Sequence, residues 1–171
     1  MTSSDGSTLK DALDIRTPGR DDAAAILRVR SNAILAKASS HYDAAILNDW
    51  VEAGDLGRIA SKLSDSDIIA LVAVAGDAMI GFGMVALSKH ELQALYVTPN
   101  RIGRVGQALL AALETRAFQT LPFLILDASL NAEEFYRANG YVAECPKDRM
   151  SSRGGPVSQV VQMRKMHQHG R

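Results

Sequence analysis

The chain has 171 residues, 47% of them hydrophobic, which is enough for one domain with a real core. Its 19 Lys and Arg balance 19 Asp and Glu, and this zero net charge excludes a general nucleic-acid binder, which would carry a basic surplus. A lone cysteine, Cys145, excludes an internal disulfide; no apolar run reaches bilayer length, and the polar Met1–Ser7 stretch lacks the apolar centre of a signal peptide, so no membrane partner and a cytoplasmic location are expected.

Residues 1–10, rich in Ser, Thr, Asp and Gly, read as a flexible leader; 11–166 reads as a single domain and 167–171 as a polar tail. Leu13-Asp14-Ile15-Arg16 alternates apolar and polar side chains, the period of a short strand. Thr17-Pro18-Gly19 turns the chain, and Asp21 and Asp22 give the acidic start that suits the positive end of a helix dipole. Ile26, Val29 and Ala33 form the expected buried stripe of that helix. A second helix is expected over 43–52, carrying Ala44, Ile46, Leu47 and Trp50, with Gly54 and Gly57 stopping it. The apolar run 68–75 reads as a strand, Gly76-Asp77 as a hairpin turn, and 79–87 as the returning strand, with Gly81 and Gly83 inside it. Ser88-Lys89-His90 makes the next turn and 91–97 a further strand. A helix follows from about 103 to 118, with Val105, Leu109 and Ala112 at helical spacing. The next strand, 121–127, has a continuous apolar centre, Phe123-Leu124-Ile125-Leu126, which predicts burial on both faces as in a parallel pairing. A short helix over 131–139 ends at Gly140, where a C-terminal cap belongs. A strand over 141–144, a polar loop over 146–155 and a closing strand over 156–166 complete the chain. Helices interspersed with these strands predict an α/β or α+β fold around a mixed, mostly antiparallel sheet.

The most informative stretch is Arg101-Ile102-Gly103-Arg104-Val105-Gly106-Gln107, set between the 91–97 strand and the following helix. The first turn of a helix leaves backbone N–H groups without intrahelical partners, and with the dipole they make a seat for phosphate. Gly103 and Gly106 present no Cβ to an approaching anion. Arg101 and Arg104 are either a solvated loop face or phosphate contacts, and the helix start beside them favours the second.

Two motifs carry a family resemblance. One is Leu95-Tyr96-Val97-Thr98-Pro99 leading into the glycine turn and Ala108-Leu109-Leu110; the other is Leu130-Asn131-Ala132-Glu133-Glu134-Phe135-Tyr136-Arg137-Ala138-Asn139-Gly140-Tyr141. In this order, with a strand between them, the chain resembles the GNAT superfamily of acyl-CoA-dependent N-acyltransferases over roughly residues 13–166. The resemblance implies a GNAT-like sheet flanked by helices and an N-acetyltransferase that moves an acetyl group from acetyl-CoA to a primary amine on a small molecule or peptide. It implies a coenzyme A pyrophosphate at the glycine turn, held by Arg101, Ile102, Gly103, Arg104, Val105, Gly106 and Gln107. It also implies a pantetheine arm paired with the backbone of Leu95, Tyr96 and Val97. Arg104 stands where the family has the first glycine of the turn; either Gly103 slides into that glycine's role or Arg104 takes a backbone costly for a residue with a Cβ. A homodimer through the C-terminal strand region rests on the resemblance alone. The alternative on the same fold is a non-catalytic coenzyme A sensor or protein-interaction module. A dinucleotide-binding oxidoreductase fits poorly, because the glycine turn comes late in the chain rather than in an opening βαβ unit.

Tyr136 is either a packed core tyrosine or, as the resemblance implies, the general acid that protonates the departing thiolate. Asn131 has N-cap spacing to Glu134 and also matches the family residue that bonds the cofactor arm; Ser129 offers a turn hydroxyl. Glu91, at the head of its strand, is either an exposed end charge or, as the resemblance implies from the place of a glutamate base in some family members, the base that takes the acceptor's proton, and His90 is a lesser candidate for the same task. His41, Tyr42 and Trp50 lie where the family walls its acceptor pocket, although Trp50 also suits a core. Cys145 reads as a small core or strand residue, and no base partner for a catalytic thiol stands near it in the sequence. His167 and His169 in the tail are insufficient for a metal site, so none is assigned.

Overall fold

The computed structural model describes residues 12–37, 43–52, 54–99, 104–149 and 158–168. The leader, His41, Tyr42, Arg101, Ile102, Gly103 and His169 lie outside the described residues, as does the side chain of Trp50. Among the described residues seven strands form one sheet in the order β1-β2-β3-β4-β5-β7-β6. They are β1 (Leu13–Arg16), β2 (Ile68–Ala75), β3 (Ala78–Ala86), β4 (Glu91–Val97), β5 (Phe123–Ser129), β6 (Val142–Arg149) and β7 (Ser158–Met166). Every neighbouring pair is antiparallel except β4–β5, so the sheet is mixed and mostly antiparallel, as the sequence predicts. The helices are α1 (Ala23–Lys37), α2 (Ala44–Glu52), α3 (Leu56–Leu63), α4 (Val105–Ala117) and α5 (Glu133–Ala138). Among the described residues no helix is long and apolar enough to cross a membrane.

The two faces of the sheet carry different layers. On one face Leu71, Ala73, Val85 and Leu92 pack with Leu124 and Leu126 against Leu109, Leu110 and Leu113 of α4. Each of these leucines leaves water almost completely, a contribution of about 1.5–3 kcal/mol apiece. On the other face Ile26 and Val29 of α1 cover Val72, Phe82 and Met84, with Ile59 and Leu63 of α3 beside them. The stripe expected on α1 is thus the buried one. Gly81 and Gly83 fit β3 because α4 lies directly on them. A Cβ on Gly81 would stand 2.9 Å from Leu109 Cδ1, and one on Gly83 would overlap Leu113 Cδ1 and sit 3.2 Å from the carbonyl oxygen of Ala94.

Three expectations are corrected. Gly57 does not stop a helix: it sits in the first turn of α3, a helix absent from the reading of the sequence. Asp55 caps α3, its Oδ1 accepting from the Arg58 N–H at 2.7 Å. Strand β5 is not equally buried on both faces. It alternates, with Leu124, Leu126 and Ala128 inside and Phe123, Ile125 and Asp127 half-buried, because α4 covers only one side. The stretch expected as a loop from Pro146 begins instead inside β6, which runs to Arg149. Strand β6 pairs with β7 alone, and an edge strand tolerates a residue without an N–H. Of the two readings of Cys145, core or strand, the structure has the strand, with the residue exposed on β6.

Strands β2 and β3 meet at Gly76, which takes φ 59°. Strand β4 carries a bulge: Met84 pairs with Ala94 and Val85 with Leu92, which leaves Gln93 as the extra residue. Gly83→Ala is expected to lower the unfolding free energy by about 1–3 kcal/mol in urea melts, because α4 must lift or β3 must shift to admit the methyl. An unchanged midpoint would contradict the close seating of α4 on β3.

Candidate active site

The site is organised by two parallel strands that begin together and then part. Strand β4 pairs with β3 along its whole length, yet its ladder to β5 consists of one pair, Glu91 with Ile125. One backbone bond, Ile125 N–H to the His90 carbonyl at 2.8 Å, ties the two at that point. On its other edge β5 pairs with β7 from Phe123 to Ser129, so past that point its edge toward β4 has no ladder. Backbone groups alternate in direction along a strand, so roughly half of those on residues 92–97 face the gap and need a partner other than β5. His90 takes φ 53°, the one left-handed residue other than glycine among the described residues, and its carbonyl is the acceptor of that bond. Its ring packs against Phe123 at 4.6 Å between centroids, and its Nδ1 is buried without a hydrogen-bond partner among the described residues.

Helix α4 starts at the far end of the gap. Its N-cap, Arg104, makes no side-chain cap, so the N–H groups of the first turn are not met by that residue. Arg104 takes φ −91° and ψ 43°, on the negative-φ side of the backbone map, so of the two alternatives the costly left-handed one is not the one adopted. Val105 is buried, while Gly106 faces Val97 Cγ2 and Phe135 Cζ, each 3.6 Å from where a Cβ would stand. Leu95, Tyr96 and Val97 are half-buried on the wall formed by β4. Tyr96 stacks on Phe82 at 5.5 Å and packs against Ile34 of α1 and Leu47 of α2, so the second helical region does reach this wall.

Tyr136 is brought to the other side by α5. It is 8% exposed, with its ring edge-on to Tyr141 at 5.7 Å and to Phe135 at 5.2 Å. Burial pushes its phenol well above the usual tyrosine range, and the neighbouring Tyr96 adds to the shift. A phenol so placed keeps its proton at any neutral pH. The short helix holds this position through a Schellman end. Gly140 takes φ 88°, Tyr141 N–H donates to the Tyr136 carbonyl at 3.1 Å, and Gly140 N–H donates to the Arg137 carbonyl at 3.1 Å. The apolar contact typical of that motif is here the Tyr136–Tyr141 ring pair. The cap expected of Gly140 is therefore formed.

The cap expected of Asn131 is not. The N-cap of α5 is Ala132, with no side-chain bond, while Asn131 Oδ1 accepts from the Ser129 hydroxyl at 2.9 Å. The Ala132 N–H closes a turn on the Ser129 carbonyl at 2.9 Å, which carries Asn131 out of cap position. Glu134 is exposed, and it is Glu133 that pairs, with Arg137 at 2.5 Å.

Glu91 stands at the apex of the gap, on the face of the sheet that α1 and α3 cover further along. Its Oε2 accepts from Gln93 Nε2 at 3.2 Å, and Gln93 Oε1 accepts from Lys62 Nζ at 2.6 Å. The same face carries Asp127 paired with Lys147 at 2.7 Å, and Arg164, which pairs with Glu144 at 2.5 Å and lies 4.6 Å over the Phe123 ring. None of Lys62, Gln93, Asp127, Lys147 or Arg164 was singled out from the sequence. The spacing of Leu56, Ile59 and Leu63 after Asp55 was the available signal for α3 and hence for Lys62. Among the described residues no group of three or more His, Cys, Asp or Glu is placed to hold a metal.

Comparison with known proteins matches residues 40–165 to the acetyltransferase (GNAT) domain family. A crystal structure from Rhodopseudomonas palustris, described as a GCN5-related N-acetyltransferase: aminotransferase, class-II, is 28% identical and superposes with a TM-score of 0.80 over 92% of this chain and 96% of that one. The PaiA N-acetyltransferase from Thermoplasma acidophilum, solved in complex with coenzyme A, is 21% identical, with a TM-score of 0.76 over 91% of this chain and 99% of that one. A ribosomal-protein-alanine N-acetyltransferase from Brucella melitensis is 22% identical, with a TM-score of 0.69 over 90% and 99% of the two chains. Among curated proteins none matches significantly. Gly140→Ala is expected to destabilise the fold by about 1 kcal/mol or more, because a methyl at φ 88° is strained. Loss of hydrogen-exchange protection confined to residues 133–141 would accompany it; uniform protection would mean that the cap does not hold α5.

Proposed function

The chain belongs to the GNAT acetyltransferase family, and we propose that it moves an acetyl group from acetyl-CoA to a primary amine by direct attack. What supports this reading most is the parting of β4 and β5 after one pair, with the uncapped start of α4 at one end and Tyr136 beside it. An extended amide-bearing arm suits unpaired strand groups, in the manner of β-strand addition. The N–H groups of Val105, Gly106 and Gln107 suit a diphosphate. Coenzyme A offers both in one molecule, and the Thermoplasma relative was solved with it.

In this reading Glu91 takes a proton from the acceptor ammonium, directly or through water, so that the nitrogen gains a free lone pair. A free amine is needed because alkyl ammonium groups titrate near 10. A backbone N–H near Leu95 or Tyr96 steadies the oxyanion as the nitrogen adds to the thioester carbonyl. As the adduct collapses and the C–S bond breaks, Tyr136 gives its proton to the leaving sulfur, and the proton lost by the adduct nitrogen, passed through water, restores the phenol. The burial that raises the phenol also raises a thiolate formed next to it, since neither anion is solvated there, and the two stay matched for transfer. Asn131 and Ser129, bonded to each other at the end of β5, line the approach of the arm. His41, Tyr42 and Trp50 belong to the acceptor wall in this reading.

The test is thiol release from acetyl-CoA with a panel of benzylamine, spermidine, glycinamide and lysine, together with calorimetry. Coenzyme A binding with no thiol release from any amine would return the chain to the sensor reading. Tyr136→Phe is expected to lower kcat by about 10²-fold or more with the affinity for acetyl-CoA unchanged; an unchanged kcat removes Tyr136 from the chemistry. Glu91→Gln is expected to lower the rate at pH 7 by about 10²-fold and to recover toward pH 10 as the amine loses its own proton. A pH profile identical to the original enzyme's removes Glu91 as base.

A further inference from the structure

We propose that Lys62 is a positioning residue for the base: through the side-chain amide of Gln93 it holds the carboxylate of Glu91 at the head of the gap. The inference rests on the base role given to Glu91 above. Its ground is a chain of two hydrogen bonds joining residues far apart in sequence, Lys62 Nζ to Gln93 Oε1 at 2.6 Å and Gln93 Nε2 to Glu91 Oε2 at 3.2 Å. The chain has one polarity. An ammonium only donates and a carboxylate only accepts, so the amide must turn its oxygen to Lys62 and its nitrogen to Glu91. Among uncharged side chains an amide meets both demands with a planar group, and Gln93 is therefore suited to the link in a way a leucine or a second carboxylate is not.

Backbone geometry makes the chain possible. Alternation along β4 puts Leu92 in the core under α4 and Glu91 and Gln93 together on the opposite face, and the bulge at Gln93 then returns Leu95 and Val97 to the α4 side. Lys62 comes to that face on the last turn of α3, where a cation also suits the helix dipole. Ile59 and Leu63 pack against the sheet on either side of it and fix the rotation of the helix. Desolvation lowers the proton affinity of Lys62, the charge of Glu91 works against that, and Lys89 and Arg58 push the same way as burial. Glu91 and Lys62 thus feel each other's charge as well as sharing Gln93. With Oε2 taken by the amide, Oε1 is the oxygen left to the acceptor's proton. Freed from Gln93, the carboxylate would spread over several rotamers, and the fraction of time spent in reach of the amine would drop.

The experiment is a kinetic cycle on the full chain with acetyl-CoA and the best acceptor of the panel, using Lys62→Met, Glu91→Gln and the double variant. Lys62→Met is expected to lower kcat about tenfold with both KM values within about twofold, and to add nothing once Glu91 is already Gln. Lys62→Arg, which keeps a donor, is expected to restore most of the rate. Gln93→Leu interrupts the chain without touching α3 and is expected to reproduce the loss even if Lys62→Met unsettles the fold. A normal kcat in Lys62→Met or Gln93→Leu beside a slow Glu91→Gln overturns this proposal and leaves the base reading standing. An equal loss from Lys62→Met in both backgrounds also overturns it, since Lys62 would then act elsewhere. A Glu91→Gln enzyme with full activity overturns the base reading and this inference with it.

Discussion

One backbone hydrogen bond, from Ile125 N–H to the carbonyl of His90, is where β4 and β5 touch, and everything at the site follows from their parting beyond it. Each strand is fully supported on its other side, β4 by β3 and β5 by β7, so the gap costs the sheet little cohesion. What it leaves is a row of polar main-chain groups in a half-buried setting. Such groups are expensive without partners, and a ligand or water that meets them gains what a neighbouring strand would have gained. Parallel strands also send their connections to the same end of the sheet. Helix α4 after β4 and α5 after β5 therefore both start at the mouth of the same gap, the position at which open α/β sheets bind their ligands.

The packing of α4 converts that topology into a defined distance. Gly81 and Gly83 remove two side chains from β3, and Leu109 and Leu113 settle into the space. Helix α4 lies low on the sheet as a result, with its first turn beside Val97 and Phe135 at the end of the gap. A core feature thus sets where the candidate phosphate seat stands. Helix α5 achieves the same for Tyr136 by different means. Six residues are too few for a helix to be stable by itself, and the Gly140 cap, the Tyr141 ring and the core beneath hold it instead. The burial that anchors Tyr136 is also what raises its phenol, so position and proton-holding have a common cause.

Two irregularities stand close to the apex. His90 takes a left-handed backbone, and the bulge at Gln93 lies three residues on. A regular β4 would turn Gln93 and Glu91 to one face only by turning Leu95 and Val97 there too. The bulge separates the two halves of the strand, keeping the leucines and Val97 toward α4 while the polar pair faces α3.

Much of this was legible in the chain itself. Alternation gave β1 its bounds, and the segment after the Ser88-Lys89-His90 turn gave β4 the same limits as in the fold; Gly140 announced the end of α5; the glycine turn and the Phe135-Tyr136 motif marked the family. These are signals of short range, set by a helix turn, a strand period or a residue's own φ. Helix α3 was missed because Gly57 looked like a stop, although an exposed glycine in a first turn costs less than the Asp55 cap and the apolar side chains at 56, 59 and 63 return. The extension of β6 through Pro146 and the displaced start of α5 depended on which partners lay alongside. So did the bulge at Gln93, the early parting of β4 from β5 and the meeting of Lys62 with Glu91. The amino-acid order determined which segments are strands and helices, because hydrogen bonds and side-chain periodicity act over a few residues. Register, divergence and the polar chain above the apex were decided only when distant segments packed, because each depends on which neighbour a strand finds and how closely a helix can lie on it.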